Sequence, residues 1–161
     1  MYSFSRKSKA KLETCHPDLQ RVFEEVIKHV DVTILEGVRS LETQKEYVRR
    51  GSSKTLKSKH LVQPDGYSHA VDAIIWPITW EDRERFIAFA GFVRGIAAGM
   101  GINITSGIDW DCDFSVKDHS FFDGPHFQIS NPSTVKQEPT KDVLPNEPSD
   151  QDIEDKLKGL E

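Results

Sequence analysis

SKHLVQPDGYSHAVDAIIWP, residues 58–77, joins a polar stretch broken by a Pro-Asp-Gly turn signal to a nearly continuous apolar run that stops at Pro77. A short apolar run bounded by turn residues reads as a buried strand, predicted here over 70–77. The polar half belongs to a loop spanning 52–69, and so long a loop in a small domain is usually functional or disordered. His60 lies in that loop and Asp72 on the strand it enters. Residues able to do chemistry therefore fall where the loop meets the strand.

Outward from this junction, Leu19, Val22, Phe23, Val26, Ile27 and Val30 recur at three- and four-residue spacing behind Pro17, predicting an amphipathic helix over 17–30. VTILEG (32–37) is β-branched and ends at Gly37, so it reads as a strand, with Arg39 just past its end. LETQKEYVRR (41–50) reads as a helix stopped by Gly51. Thr79 is expected to cap a helix running from near Trp80 to about Met100, with Gly101 ending it. INITSGIDW (102–110) and PHFQIS (125–130) are strand candidates on either side of an acidic segment. This order predicts an α+β domain, a small antiparallel sheet with flanking helices.

The chain has 161 residues, 37% hydrophobic and 29% charged, which suits one soluble domain. Its net charge is -5. Residues 131–161 hold four Lys against eight acids, or -4, which leaves 17 minus 18, or -1, for residues 1–130. That balance argues against a general nucleic-acid binder. Four prolines and few large apolar residues in 131–161 predict an acidic, disordered tail with a short C-terminal helix of about two turns. The folded domain is then 1–130. Cys15 and Cys112 form no ligand or disulfide pattern and read as free thiols. The N-terminus has no apolar signal core and no stretch is apolar enough to span a bilayer, so neither export by a Sec signal nor membrane insertion is expected.

His60, Asp72, Asp123 and His126 all lie near the edges of predicted strands. Two His nitrogens and one carboxylate make a common catalytic zinc set, because three protein ligands leave a fourth position open for water. A further carboxylate can take that water's proton. On spacing alone, Asp123 and His126 read as well as a turn residue and a strand start.

Several motifs in one order narrow the reading. Ser58-Lys59-His60, Gly66, Ala70-Val71-Asp72 and Asp123-Gly124-Pro125-His126 resemble the signature of zinc peptidases of the D-alanyl-D-alanine carboxypeptidase family. Within it, FSRKSKAKLETCHPDLQRVFEEVI, EGVRSLETQKEYVRRGSSKTLKSKHL, HAVDAI, the GIDWD region and FFDGPHFQI resemble the bacteriophage L-alanyl-D-glutamate endopeptidases over residues 4 to about 130. The resemblance implies the D-Ala-D-Ala carboxypeptidase-like fold, with His60, Asp72 and His126 as zinc ligands and Asp123 as catalytic base. Arg39, in the G-x-R-S motif, would orient substrate or polarise the scissile carbonyl, with Gln44 beside it. The alternative for Arg39 is a surface ion pair with Glu36 or Glu42, and for Gln44 a solvated helix position.

Eleven residues separate His60 from Asp72, as though about five had been inserted around Gln63-Pro64-Asp65-Gly66, which a loop absorbs at small entropic cost. His69 becomes a rival ligand. An offset of three in a strand points His69 and Asp72 to opposite faces, so His60 is preferred and His69 is expected partly exposed near the cleft. Asp109, Asp111, Asp113 and Asp118 crowd one segment, where either a regulatory Ca²⁺ site or a solvated acidic loop is expected. His16, His29 and His119 read as structural or solvated, and Trp76, Trp80 and Trp110 as core or rim packing.

The resemblance implies a phage lysis enzyme that cuts peptidoglycan stem peptides between L-Ala and D-Glu, a monomer held in the host cytoplasm until released to the wall. A D,D- or L,D-carboxypeptidase of the same family and a non-catalytic wall- or metal-binding module are the alternatives.

Overall fold

A first helix absent from the predictions, α1 (Arg6–Leu12), opens the fold in the computed structural model, which describes residues 1–133. It is seven residues long, carries Lys on most of its surface and buries only Ser8 and Leu12, too little for a periodic signal. The Ser5 hydroxyl caps it by accepting from the Ser8 amide, and the Ser8 hydroxyl accepts from the Ile34 amide.

The remaining elements are α2 (Pro17–His29), β1 (Val32–Glu36), α3 (Leu41–Arg50), β2 (Ala70–Ile75), α4 (Arg83–Gly99), β3 (Ile104–Ser106) and β4 (His126–Ile129). The four strands form one antiparallel sheet in the order β1-β2-β4-β3. The expected α+β class with a small antiparallel sheet is what the chain adopts. The expectations for 134–161, the tail and its short helix, lie outside the described residues. At the end of the described chain, the Ser133 amide donates to Asp18 Oδ2 at 2.9 Å and its carbonyl lies 3.2 Å from His16 Nε2.

Two elements differ from expectation by more than two residues. Helix α4 begins at Arg83 instead of Trp80, because Asp82 is the N-cap, accepting from the Arg85 amide at 3.0 Å. Thr79, the expected cap, instead lies 3.3 Å from the Arg85 guanidinium. Strand β3 covers three residues of the predicted 102–110, because the chain turns at Gly107 and the Asp109 amide bonds back to the Ser106 carbonyl.

Helices α2 and α4 cover one face of the sheet. Phe127 on β4 meets Phe23 of α2 and Phe89 of α4 edge-on, with centroids 5.6 and 5.5 Å apart. Burying a Phe side chain stabilises by about 1.5–3 kcal/mol, so this trio anchors the core. Side chains alternate along a strand, so Asp72 and His126 project away from the face that carries Val71 and Phe127. Register completes the arrangement: Asp72 pairs with His126 on one side and with Glu36 on the other. Three charged or polar residues from three strands therefore stand in one row across the sheet.

Candidate active site

Three buried side chains converge on this row. His60 Nε2 lies 3.0 Å from Asp72 Oδ1 and 3.2 Å from His126 Nδ1, and His126 Nδ1 lies 3.2 Å from Asp72 Oδ1. His60 arrives from the long loop, which is tied to the residues after β1 by the Arg39 amide bonding the His60 carbonyl at 2.9 Å.

The outer nitrogens decide what the inner ones can do. His60 Nδ1 faces the Gly37 carbonyl at 2.8 Å and His126 Nε2 faces the Gln128 side-chain oxygen at 3.1 Å. Each oxygen is an acceptor, so each outer nitrogen carries the proton and each inner nitrogen presents a lone pair. Two lone pairs and a carboxylate oxygen, all pointing inward, cannot satisfy one another by hydrogen bonding. A divalent cation can satisfy all three, so this trio is a candidate metal site. Burial opposes charge on His126, but the hydrogen bond and charge of Asp72, with the charge of Asp123, outweigh it and hold its pKa above the ordinary value.

Arg39 sits beside the trio. Its Nε donates to Glu36 Oε1 at 3.0 Å, its Nη2 pairs with Glu36 Oε2, and its Nη1 donates to Gln44 Oε1 at 2.6 Å. Nη2 is also 3.8 Å from Asp72 Oδ2, and the guanidinium lies 4.6 Å from the Tyr47 ring centroid. Burial works against its charge, yet the Glu36 hydrogen bond and the Glu36 and Asp72 charges raise its pKa. The pair with Glu36 is thus buried, not the surface contact considered from sequence. Gln44 is fully buried instead of solvated, donating to Ser53 Oγ at 2.8 Å and the Thr55 carbonyl at 2.7 Å. It ties α3 to the loop wall and to Arg39.

Asp123 is half-buried at the edge of a cavity of about 510 Å³ that also reaches His60, Asp72 and His126. Its position comes from a backbone knot: the Asp123 amide donates to the Gly107 carbonyl at 2.8 Å, the Gly107 amide to the His126 carbonyl at 2.8 Å, and the His126 amide to the Asp123 carbonyl at 3.2 Å. Gly107 was not singled out from sequence, and its signal was only a glycine inside the GIDWD region. A Cβ there would meet the Asp123 oxygen at 2.3 Å and the His126 Cβ at 3.0 Å. Trp110, from the same region, leans over His126 with centroids 5.3 Å apart and donates its indole N–H to the Phe121 carbonyl at 3.0 Å. Trp80 and Trp110 line the cavity, whereas Trp76 is exposed.

His69 stands apart from the trio. It is buried, not partly exposed, because the 63–66 turn brings Asp65 to its Nε2 at 2.7 Å and His16 packs edge-on against it at 5.4 Å. The acidic segment divides. Asp109 is buried against Arg94 and accepts the amides of Asp113 and Phe114, whereas the exposed Asp111, Asp113 and Asp118 have oxygens within 4.8 Å of one another. Asp109, Asp111 and His119 form a second such group.

Known proteins agree with this architecture. The family model of the phage L-alanyl-D-glutamate peptidases matches residues 1–130. The L-alanyl-D-glutamate peptidase of Escherichia phage T5 is 27% identical over 139 residues, which cover 80% of this chain and 98% of that protein. The crystal structure of the Serratia marcescens L-Ala D-Glu endopeptidase ChiX matches with a TM-score of 0.64 and 34% identity, over 80% of this chain and 91% of that one.

Proposed function

The chain belongs to the phage L-alanyl-D-glutamate peptidase family, and from that membership we propose how its cleft hydrolyses the L-Ala–D-Glu bond of peptidoglycan stem peptides. The chain is a peptidoglycan endopeptidase, like its phage and Serratia relatives. The carrying observation for its chemistry is the inward-facing set of His60, Asp72 and His126.

These three residues would hold a zinc ion. Donors at about 2.0 Å from a tetrahedral zinc stand about 3.3 Å apart, and the separations of 3.0 and 3.2 Å lie close to that. When bound, zinc supplies Lewis acidity, polarising the scissile carbonyl and bringing the pKa of an attacking water down toward about 7. Asp123, at the cavity edge, accepts the proton of the attacking water and returns it to the D-Glu nitrogen as the peptide bond breaks. Arg39 and Glu36 act on this chemistry through Asp72: the guanidinium near Oδ2 steadies the carboxylate so that Oδ1 faces inward. We assign Arg39 to that positioning role, with any contact to substrate made from the cavity wall it lines. Gln44 holds the Arg39 fork in place from behind.

Digestion of muropeptides followed by mass spectrometry tests the reading. A new N-terminal D-Glu is the expected product, whereas loss of terminal D-Ala would mark a carboxypeptidase and binding without cleavage a non-catalytic module. A chelator should abolish the product and zinc restore it. Asp123→Ala should keep stoichiometric zinc and lose activity by about 100-fold or more, and full activity in that variant would defeat the mechanism. Calcium would act as a regulator at Asp111, Asp113 and Asp118, and titration of the zinc-loaded protein without heat at millimolar Ca²⁺ would reject it.

The proposal extends to a monomer that requires neither nucleic acid nor membrane insertion, and that reaches the wall from the host cytoplasm once released. No helix among the described residues is long and apolar enough to cross a membrane.

A further inference from the structure

Charge is unevenly divided in the cleft. Its floor is acidic, with Asp72 and Asp123, and the Arg39 guanidinium there is engaged by Glu36 and Gln44. The remaining cations on its walls, Lys54, Lys57 and Lys59, all come from the loop that leads into His60. All three are exposed, and among the described residues none has a carboxylate within ion-pair distance.

Lys54 differs from the other two in where its ammonium is held. It lies 5.0 Å from the centroid of the Phe121 ring. Phe121 stacks on Trp110 at 6.1 Å, and Trp110 leans over His126 at 5.3 Å. A line of aromatic rings thus connects this cation to the catalytic floor. An exposed cation–π contact is weak, and it leaves the ammonium's other donors open to an anion. A carboxylate binding there would gain a charge-assisted hydrogen bond without displacing any protein acid.

The scissile bond supplies such an anion. When the peptide continues through the side-chain carboxyl of D-Glu, the α-carboxylate stays free on the carbon that bears the scissile nitrogen. The charge of a bound zinc would be balanced by Asp72 and Asp123, and Arg39, the other cation lining the cleft, is already engaged by Glu36 and Gln44. We propose that Lys54 is a specificity-determining residue that binds this free carboxylate of the leaving D-Glu residue, so that the enzyme prefers acidic stem peptides to those amidated at that carboxyl. This inference rests on the endopeptidase reading above.

The test compares two synthetic stem peptides, one with the free α-carboxylate and one with its amide, on the zinc-loaded full chain. The wild-type protein should cleave both and show the lower KM for the acid. Lys54→Met should raise KM for the acid about tenfold, leave KM for the amide unchanged and leave kcat unchanged for both. Lys54→Arg should restore the low KM for the acid. An equal rise for both peptides would show that Lys54 only holds the loop against Phe121 and would overturn the proposal, as would no change for either. A wild-type protein that cleaves neither peptide between L-Ala and D-Glu would overturn the endopeptidase reading and this inference with it.

Discussion

Gly107→Ala isolates the geometry of the cleft from its chemistry, because it alters no group that binds metal or moves a proton. The residue has no left-handed backbone, so alanine is excluded only by contact. Its Cβ would lie 2.3 Å from the Asp123 carbonyl oxygen and 2.8 Å from the Asp123 Cβ, whereas ordinary contact begins at 3.4 Å. Relieving the clash moves Asp123 by about 1 Å, and a displacement of that size near a reacting centre costs about 100-fold in rate. The neighbouring backbone cannot simply slide, since Gly107, Asp123 and His126 are joined by three hydrogen bonds. Overpacking of this kind costs about 1–3 kcal/mol of stability, which a typical domain with about 5–15 kcal/mol survives. The expected result is a folded protein with a lowered melting temperature and kcat/KM down about 100-fold. Gly95→Ala is the control, since a Cβ there meets nothing within 4 Å and lies inside α4, where alanine is about 1 kcal/mol better than glycine. Wild-type kcat/KM in Gly107→Ala would refute the claim that this glycine sets the position of Asp123.

Other perturbations probe the ligand set and the acidic loop. His60→Ala should lose stoichiometric zinc while His69→Asn keeps it, as read by metal analysis after dialysis, and the opposite pattern would transfer the ligand role to His69. Arg94→Met should destabilise the fold by about 3 kcal/mol at pH 7, because it strands the buried Asp109 carboxylate. Burial alone would raise the Asp109 pKa, but the Arg94 hydrogen bond and charge, with the Phe114 and Asp113 amides, lower it below the usual range. A depressed carboxylate pKa contributes stability above its unfolded value of about 3.9, lost as pH falls through the folded value. The penalty of Arg94→Met should therefore shrink on going from pH 7 to pH 3, and urea unfolding at both would show it. An equal penalty at both would remove the pair from the account of acid stability.

What could be read from sequence follows from how locally each feature is encoded. Helix α2 was legible because its apolar positions repeat over 13 residues and Pro17 sits at its start. Strand β2 was legible as an apolar run because both of its faces are buried. Helix α1 was not, since one buried Leu in seven residues leaves no period. The turn at Gly107 that ends β3 is held by backbone bonds to Asp123 and His126, sixteen and nineteen residues away in sequence. The burial of Gln44 depended on Ser53 and Thr55 folding back over α3. Local signals carry propensity and periodicity, whereas these features arise from close approach between distant segments.

The same distinction separates the candidate ligand trio from the residues that support it. His60, Asp72 and His126 were legible because several motifs in one order resemble the zinc peptidase signature, whereas their spacing alone suited turn and strand-start roles as well. Glu36 entered only as a surface partner for Arg39, because nothing local in the sequence sets it opposite Asp72, as the register does. Once it stands there, Arg39 has a carboxylate on each side and must choose between them. Of the two carboxylates only Glu36 takes its hydrogen bonds, and Asp72 Oδ2 is left at 3.8 Å. That choice would matter for a metal held by the candidate site. A guanidinium bonded fully to Asp72 would draw charge away from the oxygen that faces the histidines, whereas one held mainly by Glu36 steadies Asp72 and leaves its Oδ1 free to act as a donor. Glu36→Gln should therefore weaken zinc binding by about tenfold or more even though Glu36 never reaches the ion. Competition against a chromogenic chelator measures it, and unchanged affinity would show that Arg39 and Asp72 settle their partnership without Glu36.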